Sequence, residues 1–246
     1  MPLQEEFECS GSWLFKWRSY LPLAMFGILL VAMDKYQYPG NSKILDELWE
    51  GVCLLVSFFG LSIRVFTVGH TPRATSGRNT KRQVAETLNT TGMYSLVRHP
   101  LYLGNFFMFL GVILFAHTWW LTLIYVLAFW LYYERIMFAE EAFLRKKFGG
   151  SFLAWAADTP AFIPRFQNYI RPNSSFSLKK VLRKEYNGFF AIILAMFILE
   201  ELGEIILHGK LEMDLQWIIL LSLSFIVWAT MRIIKKTTTW LREGDN

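Results

Sequence analysis

Arg98, His99 and Pro100 stand between a polar, aromatic stretch, Gly92-Met93-Tyr94-Ser95-Leu96-Val97, and an apolar run opening at Leu101. The next apolar run closes on the paired carboxylates Glu140 and Glu141. Proline suits the first turn of a helix, where its missing N–H has no partner to lose, so Arg98 and His99 fall at a helix N-terminus. Free backbone N–H groups and the positive dipole end attract anions there, and a carboxylate or phosphate is the natural ligand. Tyr102 and Asn105 follow on the first turns, and Gly104 permits close approach of a backbone or a ligand. If the two runs fold into a hairpin, Glu140 and Glu141 return beside this turn. Carboxylates there can hold a ribose diol or oppose a sulfonium cation, and the rings of Tyr94, Tyr102, Phe106, Tyr132, Phe138 and Phe148 add cation–π attraction.

Each residue also has an ordinary use. Arg98 and Arg64 can snorkel to a membrane interface, His99 can be an interfacial hydrogen-bonding group, and Glu141 can pair with Arg145 four residues on. Glu200, Glu201 and Glu204 read as interfacial acids next to His208-Gly209-Lys210, or as an ion path. Together, ionisable groups at a membrane edge are costly and mark function.

The elements that must position these groups are membrane helices. The chain has 246 residues, 54% of them hydrophobic, and a mean hydropathy of +0.31, which excludes an ordinary soluble enzyme. Apolar stretches cover Tyr20–Met33, Leu48–Val68, Leu101–Phe115, Trp119–Met137, Phe189–Leu207 and Leu215–Ile234. The expected fold is an all-α integral membrane protein of about six transmembrane helices. Leu101–Phe115 is short for a full crossing, and Ala116-His117-Thr118 leaves room only for a tight central hairpin. If the six alternate from a cytoplasmic N-terminus, only Lys35, Lys43 and Lys210 of the 25 Lys and Arg residues fall on the far side. The positive-inside rule then places both termini and the Arg-His-Pro motif in the cytoplasm. Cys9 and Cys53 suggest no disulfide framework, no metal site is expected, and no interleaving of basic and aromatic residues outside the membrane flanks points to nucleic acid.

Three sections are discernible: a two-helix segment over 1–69, a core over 70–172, and an interfacial helix with a final hairpin over 173–246. In the core, the loop His70–Gly92 carries Pro72, Gly77 and Asn79, with a short helix expected over Lys81–Leu88; its length suits a binding loop. Thr159-Pro160-Ala161-Phe162-Ile163-Pro164-Arg165 cannot stay helical and is expected to wall the cytoplasmic helix ends. In the third section, Leu178–Lys184 reads as an amphipathic interfacial helix attracted to anionic lipid.

The ordered pattern Gly-x-Tyr-x-x-Val-Arg-His-Pro-x-Tyr-x-Gly, then Glu-Glu-x-x-Leu-x-x-x-Phe-Gly, then Pro-x-x-Ile-Pro, spans Gly92 to Pro164. It resembles the isoprenylcysteine carboxyl methyltransferase family, whose core is shared by phospholipid N-methyltransferases and lipid A phosphate methyltransferases. The resemblance implies a multi-pass enzyme, of the bacterial inner membrane in our reading, using S-adenosylmethionine from the cytoplasmic side. Carried over, Tyr94, Val97, Arg98, His99, Pro100, Tyr102 and Gly104 shape the cofactor pocket, closed by Glu140 and Glu141. An anionic acceptor needs no general base, only positioning, and Arg64, Arg98 and Arg135 are the candidates to orient it. An amine acceptor would need a base, for which Glu140 or Glu141 is placed. Arg64, Asn105 and Arg78 are expected at the acceptor, a lipid or lipid-linked acid reached from the bilayer. The basic loop (Arg73, Arg78, Lys81, Arg82) favours lipid phosphate over a prenylcysteine carboxylate. The rival expectations are an NADPH-dependent sterol-type reductase, since such enzymes carry a similar Arg-His-Pro stretch, and a non-enzymatic membrane module.

Overall fold

A computed structural model describes residues 2–18, 20–72, 85–211 and 213–238. Among them the chain is helical and contains no strand. The helices are α1 (Leu3–Trp17), α2 (Leu21–Ala32), α3 (Lys43–His70), α4 (Met93–Leu96), α5 (Pro100–Leu114), α6 (Trp119–Phe148), α7 (Gly150–Asp158), α8 (Leu178–His208) and α9 (Leu215–Thr237). Of these, α3, α6 and α9 are long and apolar enough to cross a membrane. They leave Leu55, Phe59, Leu127, Leu131, Leu223 and Ile226 exposed, side chains that only lipid would solvate well.

Helix α5 has 15 residues, about 22 Å at 1.5 Å per residue, and is the short arm that its sequence suggests. It is embraced rather than exposed. Its Gly104 faces Gly60 of α3 so closely that a Cβ on Gly60 would lie 2.5 Å from the Gly104 carbonyl oxygen and 2.4 Å from the Met108 nitrogen. Small residues allow such an approach between membrane helices, and Ser57 Oγ donates across it to the Met108 carbonyl at 2.9 Å.

Three elements depart from expectation. Helix α1 was not foreseen, because its 15 residues mix acids with aromatics and show no long apolar run. It lies along α6, with Gly11 pressed against the Arg135 carbonyl, and brings Phe15 into the core. The expected interfacial helix at Leu178–Lys184 is the first part of the continuous 31-residue α8. Within it Lys180 is buried and donates to the Thr71 and Pro72 carbonyls, closing off the end of α3. Of the helix expected over Lys81–Leu88, residues 85–88 form bends and no helix, and the remainder lies outside the described residues.

Candidate active site

The turn before α5 is held by main chain. Arg98 N–H donates to the Pro160 carbonyl at 2.8 Å, His99 N–H to the Ala161 carbonyl at 3.2 Å, and Arg165 N–H to the Leu96 carbonyl at 3.0 Å. The proline-broken tail is thus an extended strap across the Arg-His-Pro turn. Phe162 anchors it against Phe106, Phe129 and Trp130. Trp155 of α7 adds a bond from Nε1 to the Tyr94 carbonyl at 3.0 Å.

The hairpin of α5 and α6 brings the two acids to this turn. His99 Nε2 lies 2.9 Å from Glu141 Oε1, and Nδ1 lies 3.6 Å from Glu140 Oε2. Tyr102 donates its hydroxyl to the same Glu140 oxygen at 3.0 Å. Burial opposes the charge on the His99 imidazole, yet the hydrogen bonds and charges of Glu140 and Glu141 outweigh it and raise its pKa above the ordinary 6.5. The two carboxylates thus favour the protonated form of the ring that lies between them. Arg98 donates through Nη1 to the Ala156 carbonyl at 2.8 Å. Its Nε lies 2.9 Å from Glu141 Oε1, but the N–H does not point at that oxygen, so Nε is a buried donor without an aligned acceptor.

These groups open into one cavity of about 880 Å³, within the range that takes small organic ligands. Tyr94, Arg98, His99, Pro100, Tyr102 and Glu140 line its polar end. Leu23, Phe26, Leu29, Val112, Ile113 and Ile198 line its apolar extension between α2, α5 and α8. Arg64 and Asn105 form the wall between the two. Arg64 is clamped there: Nε and Nη2 donate to the two oxygens of Glu185 at 2.8 and 2.9 Å, and Nη1 donates to Asn105 Oδ1 at 2.7 Å.

The other expected residues fall elsewhere. Val97 is fully buried and packs with Ile63 and Leu103. Gly104 serves the close crossing with α3. Arg135 points at α1, its guanidinium 5.3 Å from the Phe7 ring, and is not among the cavity walls. Phe138 packs on Phe7 and Tyr132 bonds the Leu14 carbonyl, so they too serve α1. Arg78 and the basic residues Arg73, Lys81 and Arg82 lie outside the described residues. Sequence reading missed Arg18, Lys184 and Glu185, all in the cavity wall. Glu185 had a signal: it is the lone acid closing the basic run Leu178–Lys184, at the same helical level as the lone Arg64.

Residues 48–151 match the family described as phospholipid methyltransferase. The chain is 36% identical over 126 residues to the cobalt-zinc-cadmium resistance protein CzcN of Cupriavidus metallidurans, covering 49% of this chain and 56% of that protein. It is 36% identical over 122 residues to the nickel-cobalt-cadmium resistance protein NccN of Alcaligenes xylosoxydans, covering 49% and 54%. With the protein-S-isoprenylcysteine O-methyltransferase of Schizosaccharomyces pombe it shares 34% identity over 84 residues, covering 34% and 36%. The chain therefore spans about half the length of the first two relatives and less of the third. No solved structure matches it at comparable stringency. The matched stretch carries Arg64, the Arg-His-Pro turn and both carboxylates, so the likeness to membrane methyltransferases runs through the residues that build the cavity's charged end.

Proposed function

We propose that the protein is an S-adenosylmethionine-dependent O-methyltransferase acting on an anionic oxygen of a lipid or lipid-linked acceptor, with phosphate favoured over carboxylate. The observation that carries this reading is the continuity of the cavity: a charged end at Arg98, His99 and Glu140 runs into an apolar extension among α2, α5 and α8. A polar cofactor and an amphiphilic acceptor can meet only in a space of that kind.

The residues fit the cofactor. Arg98 brings a guanidinium to the cavity's charged end, suited to a carboxylate; Glu140 offers a carboxylate to a cation or a ribose diol, with Tyr94 and Tyr102 beside it. When bound, the cofactor supplies an electrophilic methyl group. The protein's own work is positional. His99 and Tyr102 fix Glu140, Glu141 holds Arg98 and His99, and the apolar walls exclude water. Arg64 stands where an acceptor anion would approach, its plane fixed by Glu185 and Asn105. A phosphate or carboxylate is already ionised at pH 7 and needs no base.

In this reading the chain crosses a bacterial inner membrane six times, with α1 and the cavity's charged end toward the cytoplasm. The test is to incubate the purified full chain with methyl-labelled S-adenosylmethionine and a total lipid extract, then identify the labelled species. A base-stable or base-labile methyl ester on a lipid acid is expected, and its loss in Glu140→Gln ties it to this site. Label only in water-soluble products, or preferential binding of NADPH, rejects the proposal.

A further inference from the structure

A second group of ionisable side chains lies at the opposite end of the bundle. Asp46 and Glu50, one turn apart on α3, meet Glu200 of α8 with ligand oxygens all within 4.8 Å of one another. Asp46 and Glu200 are only 2% and 4% exposed. Three carboxylates packed this closely and out of water repel one another, and ionisable groups at membrane depth persist only where something compensates them.

The surrounding donors compensate the outer oxygens and leave the inner ones. Tyr36 donates its hydroxyl to Asp46 Oδ1 and Oδ2 at 2.9 and 3.1 Å, and His117 Nε2 lies 2.8 Å from Asp46 Oδ1. Trp217 Nε1 donates to Glu50 Oε2 at 3.1 Å. Glu50 Oε1 is shut off from solvent with no hydrogen-bond partner. Among the described residues no N–H or hydroxyl donates to Glu200. Among the described residues the nearby cations have partners: Lys43 pairs with Asp214 at 3.3 Å, and His208 faces Glu204, which also accepts from the Tyr38 hydroxyl at 2.5 Å. Asp46 and Glu50 are thus oriented from behind, the 96%-buried Glu200 has Glu50 as its hydrogen-bond partner across the gap, and supporting donors placed behind the carboxylates are how proteins hold metal ligands.

We infer that Asp46, Glu50 and Glu200 bind one divalent cation that ties α3 to α8 at the membrane face opposite the methyl-transfer site. Oxygen-only ligation selects a hard ion such as Mg²⁺, Ca²⁺ or Mn²⁺. The site is independent of the cavity and of the catalytic proposal, and it runs against the sequence-based expectation of no metal.

Mn²⁺ is the direct probe. The full chain in detergent, stripped with a chelator, is titrated with MnCl₂ and free ion is read by electron paramagnetic resonance. The expected result is about one Mn²⁺ per chain, with affinity lowered tenfold or more by Glu200→Gln or Glu50→Gln. Glu47→Gln, an exposed acid on the same helix, should bind as the native chain does. Melting temperature is read in parallel: Mn²⁺ should raise it for the native chain and not for Glu200→Gln. Native binding indistinguishable from that of Glu200→Gln, or no binding at all, overturns the inference and leaves the three acids sharing protons instead.

Discussion

Arg64 and Glu185 offer the sharpest test of how the cavity is built. Their side chains are 16% and 5% exposed, and the contact is bidentate. Glu185 lies beyond the family-matched stretch, so the pair ties the shared core to α8. Removing either partner strands a buried charge, which costs about 3–5 kcal/mol, whereas replacing both with apolar residues of similar volume removes the stranded charge and is often near neutral. For a chain of this size 1 kcal/mol moves the midpoint by about 2–4 °C. Arg64→Met and Glu185→Leu should therefore each lower the melting temperature in detergent by about 6–20 °C, and the double variant should melt above either single one. On the proposed function the double variant should nonetheless be inactive, because Arg64 is there assigned to the acceptor, while cofactor affinity stays near native. A double variant that loses the sum of the single losses would refute the reasoning, since it would mean that the two side chains contribute through separate packing rather than through each other. Native turnover in Arg64→Met would remove it from the acceptor's path.

Other expectations follow from the same geometry. The raised His99 pKa means that its stabilising protonation is fully present below about pH 6.5 and is lost as pH rises through the folded value. Thermal stability should fall on that alkaline side, and His99→Gln should flatten the profile; an unchanged profile would show that the imidazolium is not formed. Glu140→Gln should weaken S-adenosylhomocysteine binding by about 10–100-fold, the worth of a hydrogen bond to a charged group, with Glu204→Gln near native by calorimetry; equal effects would take Glu140 out of the site. Gly60→Ala places a methyl 2.4 Å from the Met108 nitrogen and should destabilise by about 1–3 kcal/mol. Gly150→Ala, which meets nothing within 4 Å, should be neutral, and similar losses for both would disprove a tight α3–α5 crossing.

The meeting of the turn with the two carboxylates was legible in the sequence because it is local. Pro100 starts a helix wherever the chain puts it, and a four-residue connection forces the next helix back, so the meeting of His99 with Glu140 and Glu141 follows from order and spacing. What spacing does not encode is the roll of each helix about its axis. Arg135 is seven residues from the cavity-lining Ala128 and only five from Glu140, yet it points to α1, a helix with no hydropathy signal. Gly104 looked equally able to admit a ligand or a neighbour; the presence of Gly60 on α3 decides for the neighbour. Glu185 and Arg18 come from outside the motif altogether, since long-range partners are chosen by tertiary packing that no local pattern records.

The strap over the Arg-His-Pro turn has an evolutionary consequence. Its grip is made of peptide groups, between Leu96–His99 and Pro160–Arg165, so most side chains along it are free to drift without loosening the turn. Its length is not free. Inserting or deleting a single residue between Ala161 and Pro164 would put the Pro160 and Ala161 pairings out of step with that of Arg165, and relatives that diverge widely elsewhere should still keep this interval constant, as a ruler measured in residues.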